Sequence, residues 1–225
     1  VVDKVRSIAV MPFLNMSADD ENEYFSDGIT EELINALTKV DGLQVTSRTS
    51  TYAYKGKNID AREIGKELNV STLLEGSVRK AANKVRISAK LISAIDGFQM
   101  WANSYDRHLE DIFEVQDEIS KKIANQLRKR LTSKEKKVTI VTNATENFEA
   151  YNLYLQGLFY YNKWTQSNAL KALDFYQRAI GEEPNFSQAY SGVANCYIFL
   201  GNSGYWIPEK TFKKAEEATN EALKL

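Results

Sequence analysis

The sequence predicts a mixed α/β domain, a five-stranded sheet with packed helices, followed by an all-α segment of helical repeats. Two observations carry that reading. From Val5 to Leu131 the apolar spacing runs from a solid stretch to steps of three and four, then to steps of two, and back to three and four, as strands interrupted and closed by helices require. Beyond Glu146 the spacing is helical throughout, with small and aromatic residues returning in the same register twice, the mark of stacked helix pairs.

Taken in order, Val5 to Phe13 is nearly continuous apolar sequence around Ile8, Ala9, Val10 and Met11, ended by Pro12. An internal strand covered on both faces reads this way. Asn22 to Val40 puts Phe25, Ile29, Leu33, Ala36, Leu37 and Val40 on one stripe, with Glu21, Glu23, Glu31 and Glu32 near its start, giving an amphipathic helix whose acids suit the N-terminal dipole. Gly28 inside it costs about 1 kcal/mol relative to alanine, so it marks either a close helix-to-sheet contact or a split into two short helices. Leu43 to Arg48 alternates as a short strand; a polar turn and a short helix over Asp60 to Leu68 follow.

From Val70 the period becomes two. Val70, Thr72, Leu74, Gly76 and Val78, then Val85, Ile87, Ala89 and Leu91, then Phe98, Met100 and Ala102 point one way, in three antiparallel strands turning near Asn83 and at Asp96-Gly97. Glu75, Arg79, Arg86 and Lys90 occupy the opposite face as a cross-strand charge ladder. Leu109 to Leu131 closes the domain as a helix through Ile112, Val115, Ile119, Ile123, Leu127 and Leu131, each such burial stabilising by about 1.5–3 kcal/mol.

Residues 1–131 thus form the α/β domain. The polar, Lys- and Thr-rich stretch 132–145 has no periodicity and is the linker, and 146–225 holds about two helix pairs. Their turns carry extra residues, three around Trp164 to Ser167 and a longer insertion, GNSGYWIPEK, after Leu200. Val1 at the start and a last helix that stops at EALKL read as a piece of a longer protein.

The blocks SIAVMPFLNMS, EYFSDGITEELINAL, LLEGSVRK and WANSYDRHLEDIFEVQDEI, in this order and spacing, resemble the TolB amino-terminal-like domain family, which implies the same α/β architecture over Val5 to Leu131. The segment 146–225 resembles tetratricopeptide (TPR) repeats, which implies a superhelix with a concave groove lined by the first helix of each pair. Chains joining these two modules resemble the C-terminal regions of bacterial adenylate/guanylate cyclases, CadC-like winged-helix regulators and protein kinases. The resemblance therefore implies a non-catalytic sensory or protein-interaction region of a multidomain signalling protein, a nucleotide cyclase first among the parents. Two alternatives stay open: a periplasmic, envelope-associated scaffold, or the regulatory region of a winged-helix transcriptional regulator.

The residues themselves speak against turnover. His108 is the sole histidine and Cys196 the sole cysteine, which removes His-dependent triads with spare partners, histidine-rich metal sites and internal disulfides. YKGKN at 54–58 lacks the glycine spacing and hydroxyl of a phosphate loop. The acidic clusters Asp19/Asp20/Glu21/Glu23 and Glu110/Asp111/Glu114/Asp117/Glu118 fall at helix starts, where they offset orphan N–H groups, and lack the pattern of a calcium loop. No cofactor, metal or catalytic residue is expected. Net charge is −1, with 19 basic and 20 acidic residues up to Leu131 and 10 of each after it, so direct nucleic-acid binding is not expected either. No 18-residue apolar span occurs; membrane association is expected only through a segment upstream. The compartment, periplasmic or cytoplasmic, and pairing of two copies are left open.

A protein or peptide partner is the remaining expectation. In the register set by Gly157, the groove-lining positions are Tyr151, Tyr154, Leu158, Tyr161 and Asn162 in the first pair, and Gln188, Ser191, Asn195, Ile198 and Phe199 in the second. Aromatic and amide groups there suit a peptide or a partner helix. Where the family's peptide-carboxylate-binding members place a lysine this chain has Tyr154, so that activity is not carried over. A Tyr154→Ala, Asn195→Ala change is expected to weaken partner capture while leaving stability within about 2 kcal/mol. A second candidate surface is the meander around Trp101, Tyr105, Asp106 and Arg107.

Overall fold

The structure, a computed structural model, describes residues 6–129 and 145–225. Two units divide the chain, Val1–Thr142 and Asn143–Leu225. The linker expected at 132–145, apart from Thr145, and the apolar positions Val5 and Leu131 lie outside the described residues.

In the first unit the elements run β1 (Arg6–Val10), β2 (Leu14–Asn15), α1 (Glu23–Thr38), β3 (Leu43–Val45), α2 (Arg48–Tyr52), α3 (Ala61–Glu67), β4 (Thr72–Ala81), β5 (Lys84–Ser93), β6 (Gln99–His108) and α4 (Ile112–Lys129). The sheet has the order β3-β1-β4-β5-β6, with β2 also paired to β4. That makes six strands where five are expected. Pro12 has no N–H for the ladder, so β1 stops at Val10, and the chain rejoins the sheet as the two-residue β2, Leu14 opposite Ser77. Central β1 is parallel to both β3 and β4, and β4-β5-β6 is an antiparallel meander. Ile8, Ala9 and Val10 have no exposed surface, as a strand covered on both sides demands.

One sheet face lies under α1 and α4. Phe25, Ile29, Leu33 and Leu37 of α1, with Ile112, Val115, Ile119 and Ile123 of α4, are buried together with Leu74, Val78, Ile87 and Leu91. α1 runs unbroken through buried Gly28. On the other face α3 and the loop before it cover one end only, packing Ile64, Tyr54, Ile59 and Leu68 on Ala9, Met11, Leu73 and Ala94. Among the described residues of this unit, no element covers the remainder of that face. β6 departs from the simple alternation of the sequence. A bulge at Leu91/Ile92 sets Trp101 opposite Leu91 and Tyr105 opposite Ile87, because one extra residue reverses the facing of all that follow. The inward residue is therefore buried Tyr105, while Phe98, expected inside, is 73% exposed.

The short helix α2 stands where the sequence suggests only a polar turn, and side chains rather than propensity hold it. Lys55 Nζ lies 2.5 Å from both Glu23 and Asp27, the Arg48 guanidinium rests 3.5 Å above the Tyr52 ring, and Arg48 pairs with Glu31 at 3.2 Å. Burial pushes the Asp27 carboxyl up from the usual range, with Lys55 opposing the shift. On the same helix, burial and the neighbouring Glu31 charge push Glu32 up to about 7.

The second unit is α5 (Phe148–Tyr161), α6 (Gln166–Glu182), α7 (Ser187–Asn202) and α8 (Pro208–Lys224), each helix packed on the next. Asn147 caps α5 by accepting from the Glu149 and Ala150 N–H groups, and Thr165 caps α6. Between the pairs, the buried Tyr176 ring is flanked by Gly157 and Gly192. A Cβ at either glycine would stand 2.6 Å from a ring carbon, so only glycine admits this close approach. Cys196 is buried beside Tyr176 in the same core, and burial pushes its thiol up to about 12.

Leu33→Ala or Ile87→Ala removes a fully enclosed side chain and is expected to cost about 2–5 kcal/mol in urea unfolding; near-neutral values would mean the inward faces are wrongly assigned. A carboxyl whose folded pKa is raised stabilises the fold below its unfolded pKa and loses that contribution as pH climbs through the folded value. Glu32→Gln is therefore expected to be more stable than wild type at pH 8, by roughly 1 kcal/mol once partial exposure is allowed for, with the gap closing toward pH 4.5. Urea midpoints measured across that range would show a constant gap if Glu32 titrates normally.

Candidate protein-interaction site

The ten expected groove residues lie on α5 and α7 or, for Asn162, at the C-cap of α5, and they divide by burial. Tyr151 is only 4% exposed. Tyr154 is half-buried, its ring 5.8 Å from that of Tyr176 and 5.2 Å from that of Phe186. Leu158, Tyr161, Asn162, Gln188 and Phe199 are half-buried, whereas Ser191, Asn195 and Ile198 are exposed. Tyr154 thus joins the packing between the pairs, and truncating it costs more than the sequence suggests. Ile198, 41% exposed, and its neighbour Asn195 hold the open part of the face.

Two aromatic residues beyond those ten extend the surface. Trp164, in the α5–α6 turn, lies 5.3 Å from Tyr161 and 5.6 Å from Phe199 between ring centroids. Tyr205, in the α7–α8 turn, lies 6.0 Å from Phe199. The two inserted turns therefore converge on one ring, Phe199, from separate places in the chain. Trp164 is 61% exposed and has φ +52°, a left-handed conformation that costs a bulky residue energy and persists only where its surroundings impose it. The sequence signal for both residues was the extra length of the turns, but length alone does not reveal that their rings meet.

The second candidate surface comes apart. Tyr105 faces the α1/α4 core, Arg107 reaches Glu118 of α4 at 3.3 Å, and Asp106 points to the open face in a two-bonded pair with Arg86. Asp19 accepts from the Glu21 N–H at 2.8 Å, a helix-start role. Among the described residues no group of three or more His, Cys, Asp or Glu side chains is placed to hold a metal ion, and no helix is long and apolar enough to cross a membrane.

The described residues combine an α/β unit with a unit of stacked helices that carries an aromatic surface. Residues 4–122 match the family described as the HilA/YgeH-like transcriptional regulator, second domain. The chain belongs to this family. The matching family thus differs in name from the TolB amino-terminal-like one that the sequence blocks resemble. A Rhizobium meliloti (strain 1021) protein named putative adenylate cyclase 3 is 43% identical over 188 residues, which are 84% of this chain and 32% of that protein; the chain spans about a third of the relative's length. Among solved structures, the lipoprotein GNA1162 from Neisseria meningitidis aligns with a TM-score of 0.40 at 18% identity, over 56% of this chain and 99% of that one. TolB from Acinetobacter baumannii aligns with a TM-score of 0.41 at 14% identity, over 56% of this chain and 29% of that one.

Tyr154→Ala is expected to lower the stability of the helical unit by roughly 2–4 kcal/mol, short of a fully buried aromatic truncation, while exposed Asn195→Ala stays within about 0.5 kcal/mol. Equal urea midpoints for the two variants would remove Tyr154 from the packing.

Proposed function

We propose that this chain is the non-catalytic regulatory region of a multidomain bacterial signalling protein, and that it binds a protein or peptide partner through the α5/α7 face extended by Trp164 and Tyr205. The observation that carries the reading is the convergence of two inserted turns on Phe199, with a strained, exposed tryptophan at the rim. Large rings held in place at an accessible surface are the residues that anchor partners. The name of the adenylate-cyclase relative supports a cyclase as the parent, and the family match favours a second parent, a transcriptional regulator, with the same module in the same role. The helical unit is read as two tetratricopeptide pairs, and the seating of Tyr176 between Gly157 and Gly192 supports this. Such a module acts by differential binding, shifting the equilibrium of the domains it is joined to.

Peptides selected on the 225-residue chain from a random phage-displayed library are expected to bind Ile198→Glu and Trp164→Ser variants about tenfold or more weakly than wild type, as loss of an interface anchor does. Fluorescence anisotropy checks this, with thermal melting confirming that each variant folds. Selected peptides that bind both variants as tightly as wild type would move the site elsewhere.

A further inference from the structure

We propose that the part of the sheet's second face that no described element of the first unit covers is a docking surface for an acidic segment of a protein partner. It lies within the first unit and is independent of the α5/α7 face. The strand register arranges this face in rows: Glu75, Lys90 and Ala102; then Ser77, Ser88 and Ser104; then Arg79, Arg86 and Asp106; then Ala81, Lys84 and His108. The first row is neutralised, since Lys90 meets Glu75 at 2.8 Å. The serine row is short and internally bonded, with Ser88 and Ser104 hydroxyls 3.0 Å apart, so it leaves a shallow floor. The third row sets Arg79 directly opposite Arg86, and like charges in that position destabilise a sheet. Its only carboxylate, Asp106, is engaged by both arms of Arg86 at 2.6 and 3.0 Å. Arg79 spends its Nε on the Met16 carbonyl at 3.2 Å, which steadies the guanidinium beside the sheet.

Cations therefore exceed acids on this face. Lys57, Arg79, Lys84, Arg86 and Lys90 stand against Glu75 and Asp106, on a chain whose net charge is −1. Among the described residues no salt bridge engages Lys57, Arg79 or Lys84, although the Lys84 charge acts on Asp106 alongside Arg86. Two hollows mark where side chains of a partner fit: one of about 350 Å³ where Arg79, Lys84 and Arg86 surround the single carboxylate of Asp106, and one of about 680 Å³ beside the 54–59 loop where Lys57 and Lys90 stand with Glu75. Leu14 and Met16, 56% and 50% exposed, form part of the wall of the larger hollow. Guanidinium and ammonium groups beside apolar side chains suit carboxylates carried on a peptide. A nucleic-acid backbone favours a broad basic field without such a wall, and Glu110 and Asp111 follow directly on the last row.

The test uses the 225-residue chain and a labelled dodecapeptide with glutamate at three of every four positions and leucine at the fourth. Its glutamine counterpart, a 20-nucleotide single-stranded DNA and phosphatidylglycerol vesicles serve as parallel probes. Saturable binding of the acidic peptide is expected, weakened roughly tenfold or more by Arg79→Glu with Lys84→Glu, weakened in the same direction by the corresponding glutamine pair, and unchanged by Lys171→Glu with Lys213→Glu on the helical unit. Both residues of the sheet pair are exposed, so each variant is expected to fold, which thermal melting checks. Equal weakening by the two glutamate pairs, a loss below twofold, or tighter binding of the DNA or the vesicles than of the acidic peptide would overturn the proposal.

Discussion

Burial of β1 on both faces is the constraint from which the first unit follows. A strand with no exposed side chain from Ile8 to Val10 must be flanked by other strands and roofed on both sides. Its neighbours β3 and β4 are both parallel to it, which needs a crossover of helical length on each side. α1 supplies one and the α2–α3 stretch the other. The meander needs no such crossover, so β5 and β6 extend the sheet past the reach of α3. One face stays under α1 and α4, and on the other no described element of the unit reaches beyond Leu73. The charged rows of that open face are thus a consequence of where covering helices run out.

The helical unit solves a different packing problem. Two helix pairs meet across a single tyrosine, and the meeting requires two glycines on helices distant in sequence. Volume added at Gly157 or Gly192 pushes the pairs apart, so the spacing of α5 and α7 depends on the absence of side chains there. That spacing also sets which residues of α5 and α7 remain accessible. Tyr154 fills the space above Tyr176 and Phe186, and Ser191, Asn195 and Ile198 are what the solvent sees.

The aromatic rim and the cationic sheet face share one physical feature. Each retains an arrangement that stability alone disfavours: a tryptophan at positive φ, and two arginines opposite one another. Departures of this kind collect where a surface has work besides holding the fold together. They lie in separate units.

Periodicity in the sequence determined the element order, the mixed character of the sheet, the internal status of β1 and the helical nature of everything after Glu146, because these depend on local spacing and on burial that repeats along the chain. Pairing geometry decided the rest. The bulge at Leu91/Ile92 turned Trp101 and Tyr105 to the side of Leu91 and Ile87, the proline at position 12 split one strand into two, and α2 formed because Asp27, Lys55 and Arg48 meet from distant positions. Trp164 and Tyr205 were visible only as extra length in two turns. Their contact through Phe199, like the juxtaposition of Arg79 with Arg86, exists only once the chain is folded, since contact between residues far apart in sequence leaves no period to read.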